Sequence, residues 1–203
     1  MELGTETEQK ILEAAEKVFY QKGKSGTSMQ DIADEAGITR TSLNYYYRSK
    51  DKLFDEVFRR ALSLFIPKVA AIMNSGSVFS EYMQEMVEVI IDTMVENPQI
   101  PVFVLQELTT NPGRMPEMMT ELGIHNLVAR EQISRDENFR NLGIDPRQLI
   151  LNLISLCIFP FAARPMVLSV MYGGDEQAYL EGMKQRKILI PEMIEKMIRH
   201  YQS

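Results

Sequence analysis

The feature that most constrains this chain is residues 27–53, where two short helical segments flank a glycine turn. Ser28 is a good cap for the first segment, and the carboxylate of Asp31 follows three residues later. Gly37 is typical of the left-handed position that ends a helix. Thr39 can then cap the second segment. Two helices joined by a turn of about three to four residues predict a helix-turn-helix.

The second segment has an outward surface that suits DNA. Leu43 follows the apolar Ile38 by five residues and is the natural inward anchor, so its polar neighbours point outward. Such side chains and Arg read base edges in the major groove, while Lys, Arg, Ser, Thr and Tyr contact phosphates. Between Thr39 and Lys52, four basic residues accompany one acid. The candidate DNA-binding residues are Ser28, Thr39, Arg40, Thr41, Ser42, Asn44, Tyr45, Tyr46 and Lys50.

Plainer interpretations of these residues stay open. Turns between short helices are common in all-helical proteins, and tyrosine clusters often belong to a core. The basic residues Arg48, Lys50 and Lys52 would by themselves suit a solvated face. The combination of cap, glycine turn, inward leucine and tyrosines in one window favours DNA binding.

Residues 9–57 resemble the N-terminal region of the tetracycline-repressor (TetR) family of bacterial transcription regulators. The likeness starts at KILEAAEKVFYQKG and continues through TSMQDIADEAGITRTSLNYYYRSKDKLFDEV. The family usually has Leu-Tyr-Tyr/Trp-His/Tyr-Phe in its recognition helix, where this chain has Leu-Asn-Tyr-Tyr-Tyr. Asn44 stands where an aromatic residue is common, and Thr41 where Gly or Ala is common. The family's base contacts therefore do not carry over.

The resemblance implies an all-helical fold of about nine helices that works as a dimer. It implies a recognition helix over residues 39–45 and contacts from Tyr45, Tyr46 and Lys50 to the DNA backbone. We expect a three-helix DNA-binding domain at residues 4–64. A C-terminal helical bundle for ligand binding and dimerisation would occupy residues 65–203.

Composition agrees with a globular all-α chain. The 203 residues are 45% hydrophobic, and alternating Val, Ile and Thr runs typical of strands are absent. The single Cys157 excludes an internal disulfide and suits a reducing cytosol. The polar N-terminus is unlike a signal peptide, and the longest uncharged run, residues 148–163, is too short to span a bilayer. We expect a cytoplasmic protein without membrane contact.

The charge is distributed unevenly. The chain carries −6 overall; residues 1–60 hold 10 Lys and Arg against 11 Asp and Glu, and residues 61–203 hold 12 against 17. DNA binding requires a local positive face and not a basic protein. We therefore expect specificity to come from pairing two DNA-binding domains on a palindrome.

Turn signals divide the chain into predicted helices. The loop at residues 22–26 separates the first two, Pro67 is expected to kink the helix that starts at Ser49, and Pro160 and Pro165 to bend the penultimate one. The predicted helices are residues 5–21, the two of the helix-turn-helix, 49 to beyond 65, 78–96, 101–110, 115–122, 124–139, 146–172 and 175–201.

The last two predicted helices are candidates for a dimer interface. The penultimate helix is apolar on almost every face, so it must be covered on all sides, and a second copy can supply that cover. The resemblance implies dimerisation through these helices as a four-helix bundle. The alternative is that both are buried within a monomer. The candidate interface residues are Leu149, Leu153, Leu156, Ile190, Ile194 and Met197.

The resemblance also implies a small-molecule effector bound in the C-terminal domain. Of 14 methionines, 12 lie beyond residue 60, and methionine suits adaptable apolar cavities. We predict a mostly apolar pocket between residues 78 and 163; ordinary core packing is the plainer alternative. The candidate pocket residues are Met83, Met86, Met94, Phe103, Met118, Met119, Phe159 and Phe161.

Catalysis finds little support in the sequence. His125 and His200 lack a second His or Cys at metal-ligand spacing, and the chain has no Gly-rich phosphate loop or G-x-S-x-G motif. We expect no enzyme activity, cofactor or metal. The favoured hypothesis is a repressor that binds a palindromic double-stranded DNA operator as a homodimer and is released by a small apolar effector. The alternative is a helical ligand-carrier or protein-interaction module that keeps the motif only as scaffold.

Overall fold

The computed structural model describes residues 2–75, 77, 79–124 and 145–202. Within these ranges the chain forms eleven α-helices and one π-helical turn, and it has no strand, which confirms the predicted all-α class. About nine helices were expected; the larger number arises because the long predicted helices divide. The helices are α1 Glu2–Gly26, α2 Met29–Ala36, α3 Arg40–Tyr46, α4 Lys50–Ser63, α5 Ile66–Met73, α6 Phe79–Glu96, α7 Ile100–Thr110, α8 Arg114–Glu121, α9 Pro146–Ala162, α10 Arg164–Met166 and α11 Glu176–Gln202, with the π-helical turn at Val167–Met171.

The helices form two compact units. The first unit contains Met1–Ser63 and Phe103–Arg114, and the second contains Leu64–Val102 and Met115–Ser203. The predicted division at residue 64 did not place residues 103–114 in the first unit. No local pattern in the sequence indicates it.

The core of the first unit forms where α1 packs against α2 and α4. Apolar residues of α4 recur at helical spacing and point inward because that face is covered by α1. Phe19 and Phe54 meet edge to face with ring centroids 5.0 Å apart. Full burial of a side chain such as Phe54 contributes about 1.5–3 kcal/mol. The buried apolar residues of these helices are Ile11, Ala14, Ala15, Val18, Phe19, Ile32, Ala33, Leu53, Phe54, Val57, Phe58, Ala61 and Leu62.

Two helix boundaries in this region differ from the prediction. The expected loop at residues 22–26 is a kink within α1, where Gly23 takes the non-helical angles φ 65° and ψ 174°. Pro67 does not kink α4; that helix ends at Ser63, and Pro67 lies in the first turn of α5. Proline lacks an N–H and fits the first turn of a helix better than its interior.

The second unit is assembled around α6, which packs against α5, α9 and α11. The predicted start of α9 is confirmed, because the Asp145 carboxylate accepts a hydrogen bond from the Arg147 N–H at 2.9 Å. The cap of α11 is confirmed in the same way by Asp175, which accepts from Ala178 N at 2.9 Å. Instead of one bent helix over residues 146–172, the chain breaks at Ala163 and continues through α10 and the π-helical turn. The predicted helix at residues 124–139 lies outside the described residues, apart from its first residue.

None of the described helices, taken singly, has the length and apolar character of a membrane span. Two consecutive pieces, Arg147–Ala162 and Arg164–Met171, reach that length and composition only together, and they are bent by 67°.

Candidate nucleic-acid interface

The first helix of the motif, α2, is fixed by a reciprocal cap. The Ser28 hydroxyl accepts from Asp31 N at 3.1 Å, and the Asp31 carboxylate accepts from Ser28 N at 2.8 Å. Lys22 Nζ lies 2.5 Å from the same carboxylate. Hydrogen bonds from Lys22 and Ser28 to the charged carboxylate hold the pKa of Asp31 well below its usual range. The predicted cap at Ser28 and Asp31 is confirmed.

The turn between α2 and α3 depends on Gly37. Its φ of 67° is left-handed, as predicted, and its N–H donates to Asp34 O at 3.2 Å. Ile38 N then donates to Ala33 O at 3.0 Å. These bonds satisfy carbonyls that would otherwise be unpaired at the end of α2.

The second helix of the motif, α3, is anchored by one buried residue. Thr39 caps it by accepting from Ser42 N at 3.1 Å, and Leu43 is fully buried, as predicted for both. Tyr45 is 83% exposed, and its ring contacts that of Tyr46 edge to face at 5.4 Å. Of the candidate DNA-binding residues, Ser28, Thr39, Arg40, Thr41, Asn44 and Tyr45 are exposed, and Ser42, Tyr46 and Lys50 are half-buried.

Two side chains hold the C-terminal end of α3, and sequence reasoning missed both roles. Tyr47 Oη donates to the Glu8 carboxylate of α1 at 3.2 Å, and partial burial together with that carboxylate raises the pKa of Tyr47. Lys50 Nζ donates to the carbonyl oxygens of Lys24 and Thr27, each at 2.9 Å. These partners are distant in sequence, so no spacing rule could indicate them.

The positive charges near α3 are largely uncompensated. Acids of the first unit are paired within it: Asp31 with Lys22 and Asp51 with Lys24, at 2.5 and 2.9 Å. Among the residues that the structure describes, Arg40, Arg48 and Lys52 have no acidic side chain within 4.0 Å. A local positive face therefore adjoins the exposed surface of α3, although the unit is not basic overall.

The candidate pocket residues do not come together in one described cavity. Phe103 belongs to the first unit, where its ring packs 5.3 Å from that of Phe54. In the second unit, Met119 is half-buried and Phe159 is 59% exposed. The remaining candidates, Met83, Met86, Met94, Met118 and Phe161, are buried.

An apolar groove lies between α9 and α11. It has a volume of about 440 Å³ and is lined by Asn152, Ser155, Leu156, Phe159, Met193, Ile194 and Met197. It includes three of the six candidate interface residues. The other three, Leu149, Leu153 and Ile190, are buried, as is Ile194 at the base of the groove.

Among the residues that the structure describes, no group of three or more His, Cys, Asp or Glu side chains is arranged to hold a metal ion. Cys157 is buried, and burial raises the pKa of its thiol to about 12. His125 lies outside the described residues.

An exposed polar helix, carried on a capped turn and flanked by unpaired cations, defines the class of protein as a helix-turn-helix DNA-binding protein. Residues 11–57 match the model of the family described as bacterial regulatory proteins, tetR family. The chain is 27% identical over 192 residues to the probable HTH-type transcriptional regulator YttP of Bacillus subtilis (strain 168), covering 91% of each.

Two solved structures have a fold similar to that of this chain. The TetR family transcriptional regulator PfmR from Thermus thermophilus matches with a TM-score of 0.62 at 20% identity, over 90% of this chain and 97% of that one, which shows the fold. A linker-substituted mutant of HlyIIR matches with a TM-score of 0.55 at 26% identity, over 77% and 84%. The chain is therefore a DNA-binding transcriptional regulator whose residues 11–57 match the TetR family, and it has the fold of a solved member of that family.

Proposed function

We propose that this regulator is a ligand-responsive repressor that binds a palindromic operator as a homodimer and is released by a small apolar effector. The observation that carries the proposal is the surface of α3. With Leu43 as its single buried residue, the helix presents Thr39, Arg40, Asn44 and Tyr45 to solvent. Short polar side chains and Arg on an exposed helix suit base edges in the major groove.

The dimer is supported by apolar residues that the second unit leaves exposed. On α9, Leu151 is 55% and Phe159 is 59% exposed, and on α11 Met193 is 45% exposed. Phe159 and Met193 line the same groove, and contiguous exposed apolar surface marks an interaction site. We propose that a second copy covers the groove through Phe159, Met193 and the half-buried Leu156 and Met197. Leu149, Leu153, Ile190 and Ile194 would support this surface from beneath.

The effector is proposed to bind among the methionine-rich helices of the second unit. Met83, Met86 and Met94 of α6 are buried there, and their flexible side chains can rearrange around an apolar guest. Such a ligand would shift the DNA-binding equilibrium only if it bound the two conformations with different affinities.

The path to the DNA-binding helices is proposed to run through α7. This helix starts at Ile100, in the second unit, and its remainder from Phe103 belongs to the first unit. At the end of that segment Arg114 is paired with Asp55 of α4. A shift of α7 would therefore move α4 and change the spacing of the two recognition helices.

We assign DNA binding to residues 4–64, with residues 103–114 as its extension, and effector binding and dimerisation to the rest of residues 65–203. The protein would act in the bacterial cytoplasm, where its operator lies, and no enzymatic step is needed. Similar proteins are named as transcriptional regulators, which supports this assignment.

Gel-shift with the DNA upstream of the chain's own gene tests the proposal. Wild-type protein should bind in preference to a scrambled duplex at moderate salt, and Asn44→Ala and Tyr45→Ala should each weaken binding. The carrier or interaction-module alternative predicts no preference for any duplex, with and without candidate effectors.

A further inference from the structure

Pro160 lies inside α9 and leaves one backbone carbonyl of that helix without its usual partner. In an α-helix each carbonyl accepts a hydrogen bond from the N–H four residues later, and proline has no N–H. The carbonyl of Leu156 therefore cannot receive the bond that another residue at position 160 would donate. Since this part of α9 is partly shielded from water, the carbonyl requires a different donor.

Arg186 of α11 supplies that donor. Its Nη2 donates to Leu156 O at 2.9 Å and its Nε at 3.3 Å, so two N–H groups of one guanidinium share the same acceptor. Arg186 is half-buried, and its charge strengthens both bonds. Because the guanidinium is planar and its donors have a fixed geometry, the pair of bonds fixes this part of α9 relative to α11.

A second side chain of α11 bonds to the same turn of α9. The buried Tyr179 donates from its Oη to the carbonyl of Pro160 at 3.2 Å. Both ends of the turn from Leu156 to Pro160 are therefore bonded to α11. Leu156 and Phe159 belong to this turn, and both line the apolar groove between α9 and α11.

Pro191, inside α11, repeats the arrangement. Its missing N–H frees the carbonyl of Lys187, which accepts from Gln84 Nε2 of α6 at 3.2 Å. In both cases a side chain of a neighbouring helix replaces the backbone donor that the proline lacks. The recurrence supports the interpretation that the bonds from Arg186 to Leu156 compensate for Pro160.

We propose that Arg186 is a positioning residue of the homodimer interface. It replaces the hydrogen bond that Pro160 removes, and it thereby holds Leu156 and Phe159 in the orientation that a second copy meets. Arg186 is not among the residues that line the groove, so it acts through α9. This role rests on the proposed dimer.

A mutant cycle on the Kd of the dimer, measured by fluorescence-detected sedimentation, tests the role. Arg186→Met keeps the apolar stem and removes the donors, so the dimer Kd should rise by roughly tenfold. Pro160→Ala restores the backbone N–H that serves the Leu156 carbonyl. In the Pro160→Ala background, Arg186→Met should therefore change Kd by less than about threefold. Equal changes in the two backgrounds would overturn the proposal, because Arg186 would then act through its packing or its charge.

Arg199→Met is the matched control, since it also removes an arginine from α11. Arg199 is exposed and pairs with Glu195 one turn earlier at 3.0 Å, so we expect a Kd within about twofold of wild type. Arg186→Lys keeps the charge and can donate to the carbonyl, and it should recover part of the affinity. A Kd for Arg186→Lys as high as that for Arg186→Met would contradict the role.

Folding provides a further measurement. If Arg186→Met does not fold by itself, Pro160→Ala should restore its folding, and failure to do so would overturn the proposal. The dimer and this role fail differently. A wild-type protein that stays monomeric at micromolar concentration would overturn both, whereas a wild-type dimer whose cycle shows no coupling would overturn the role of Arg186 alone.

Discussion

At the scale of single residues, Gly37 holds the turn before the recognition helix in a conformation that side chains disfavour. An added Cβ would meet no atom within 4 Å, so the cost of substitution is conformational alone. Gly37→Ala should lower the free energy of unfolding by about 1–2 kcal/mol, measured by urea denaturation.

Gly26 provides the matched control. It lies at the end of α1 without a left-handed φ, and an added Cβ would make an ordinary 3.4 Å contact with Lys22. Gly26→Ala should therefore leave stability unchanged or raise it by up to about 1 kcal/mol. Equal losses in the two variants would contradict the role assigned to Gly37.

The cap at Asp31 predicts a pH dependence. Because the folded pKa is depressed below the ordinary value of 3.8, the carboxylate stabilises the fold above about pH 4, and this contribution is lost as the pH falls towards the folded pKa. The free energy of unfolding of wild type should exceed that of Asp31→Asn at pH 7. The gap should narrow steadily as the pH falls below about 4, as measured by urea denaturation, whereas a constant gap would exclude the linkage.

Residue roles set by neighbours in sequence were predictable, and those set by distant partners were not. Ser28, Gly37 and Thr39 act within three or four positions of their partners, where helix-capping rules apply. Lys50 bonds to Lys24 in α1 and to Thr27 just after it, and Tyr47 bonds to Glu8 in α1, all 23 or more residues away. Their residue types suited DNA, and the sequence contains no signal for those partners.

At the scale of elements, the segment 103–114 is attached to α4 through Arg114 as well as through Phe103, and within the segment Arg114 is paired with the buried Glu107. Arg114 Nε lies 2.8 Å from Glu107 Oε1, and Arg114 also pairs with Asp55 and lies 5.4 Å from the Phe54 ring centroid. Glu107 is buried. Removing one partner of such a pair leaves an uncompensated buried charge.

Arg114→Met should destabilise the protein by about 3 kcal/mol for this reason. Combining it with Glu107→Gln, which removes the stranded charge, should recover part of the loss. A double-mutant cycle by urea denaturation measures the coupling.

Lys10→Met is the control, because its partner Glu6 is exposed and such pairs contribute at most about 1 kcal/mol. If Arg114→Met cost no more than Lys10→Met, residues 103–114 would not be held by these charges.

Helix boundaries followed from caps and glycines, whereas the assignment of helices to units did not. Asp145, Gly173 and Asp175 mark ends of helices in the sequence and in the structure. The sequence predicts a helix over residues 101–110, and the structure has α7 there, at Ile100–Thr110. Which unit covers it depends on tertiary contacts, since an apolar face fits any apolar partner.

At the scale of the whole molecule, the proposed dimer depends on apolar surface left exposed on α9 and α11. Phe159→Glu with Met193→Glu should produce a monomer in sedimentation velocity at micromolar concentration, because charges would be buried unpaired at the interface. Gln185→Glu, also exposed on α11, adds a charge away from the groove and should leave the dimer intact. A double variant that stays dimeric would place the interface elsewhere.

The sequence indicated that α9 and α11 carry apolar surface that must be buried, but not which of their faces pack within the second unit and which stay exposed. Leu149, Leu153 and Ile190 belong to a helix pair that is rich in apolar residues, and the second unit itself buries them. Phe159 was assigned to a ligand pocket by residue type, and it lies on the exposed side of α9. Helical periodicity identifies an apolar face of a helix but not what packs against it. One such face can pack within its own unit while another face of the same helix packs against a second copy of the chain.

The central claim is that two copies of α3 read one palindromic operator. Its most direct test is selection of duplexes from a random library by the wild-type protein, followed by sequencing. We predict an inverted repeat whose half-sites are separated by about one helical turn of DNA, roughly 10 base pairs between centres. Enrichment of a single asymmetric site, or of no sequence at moderate salt, would contradict the claim.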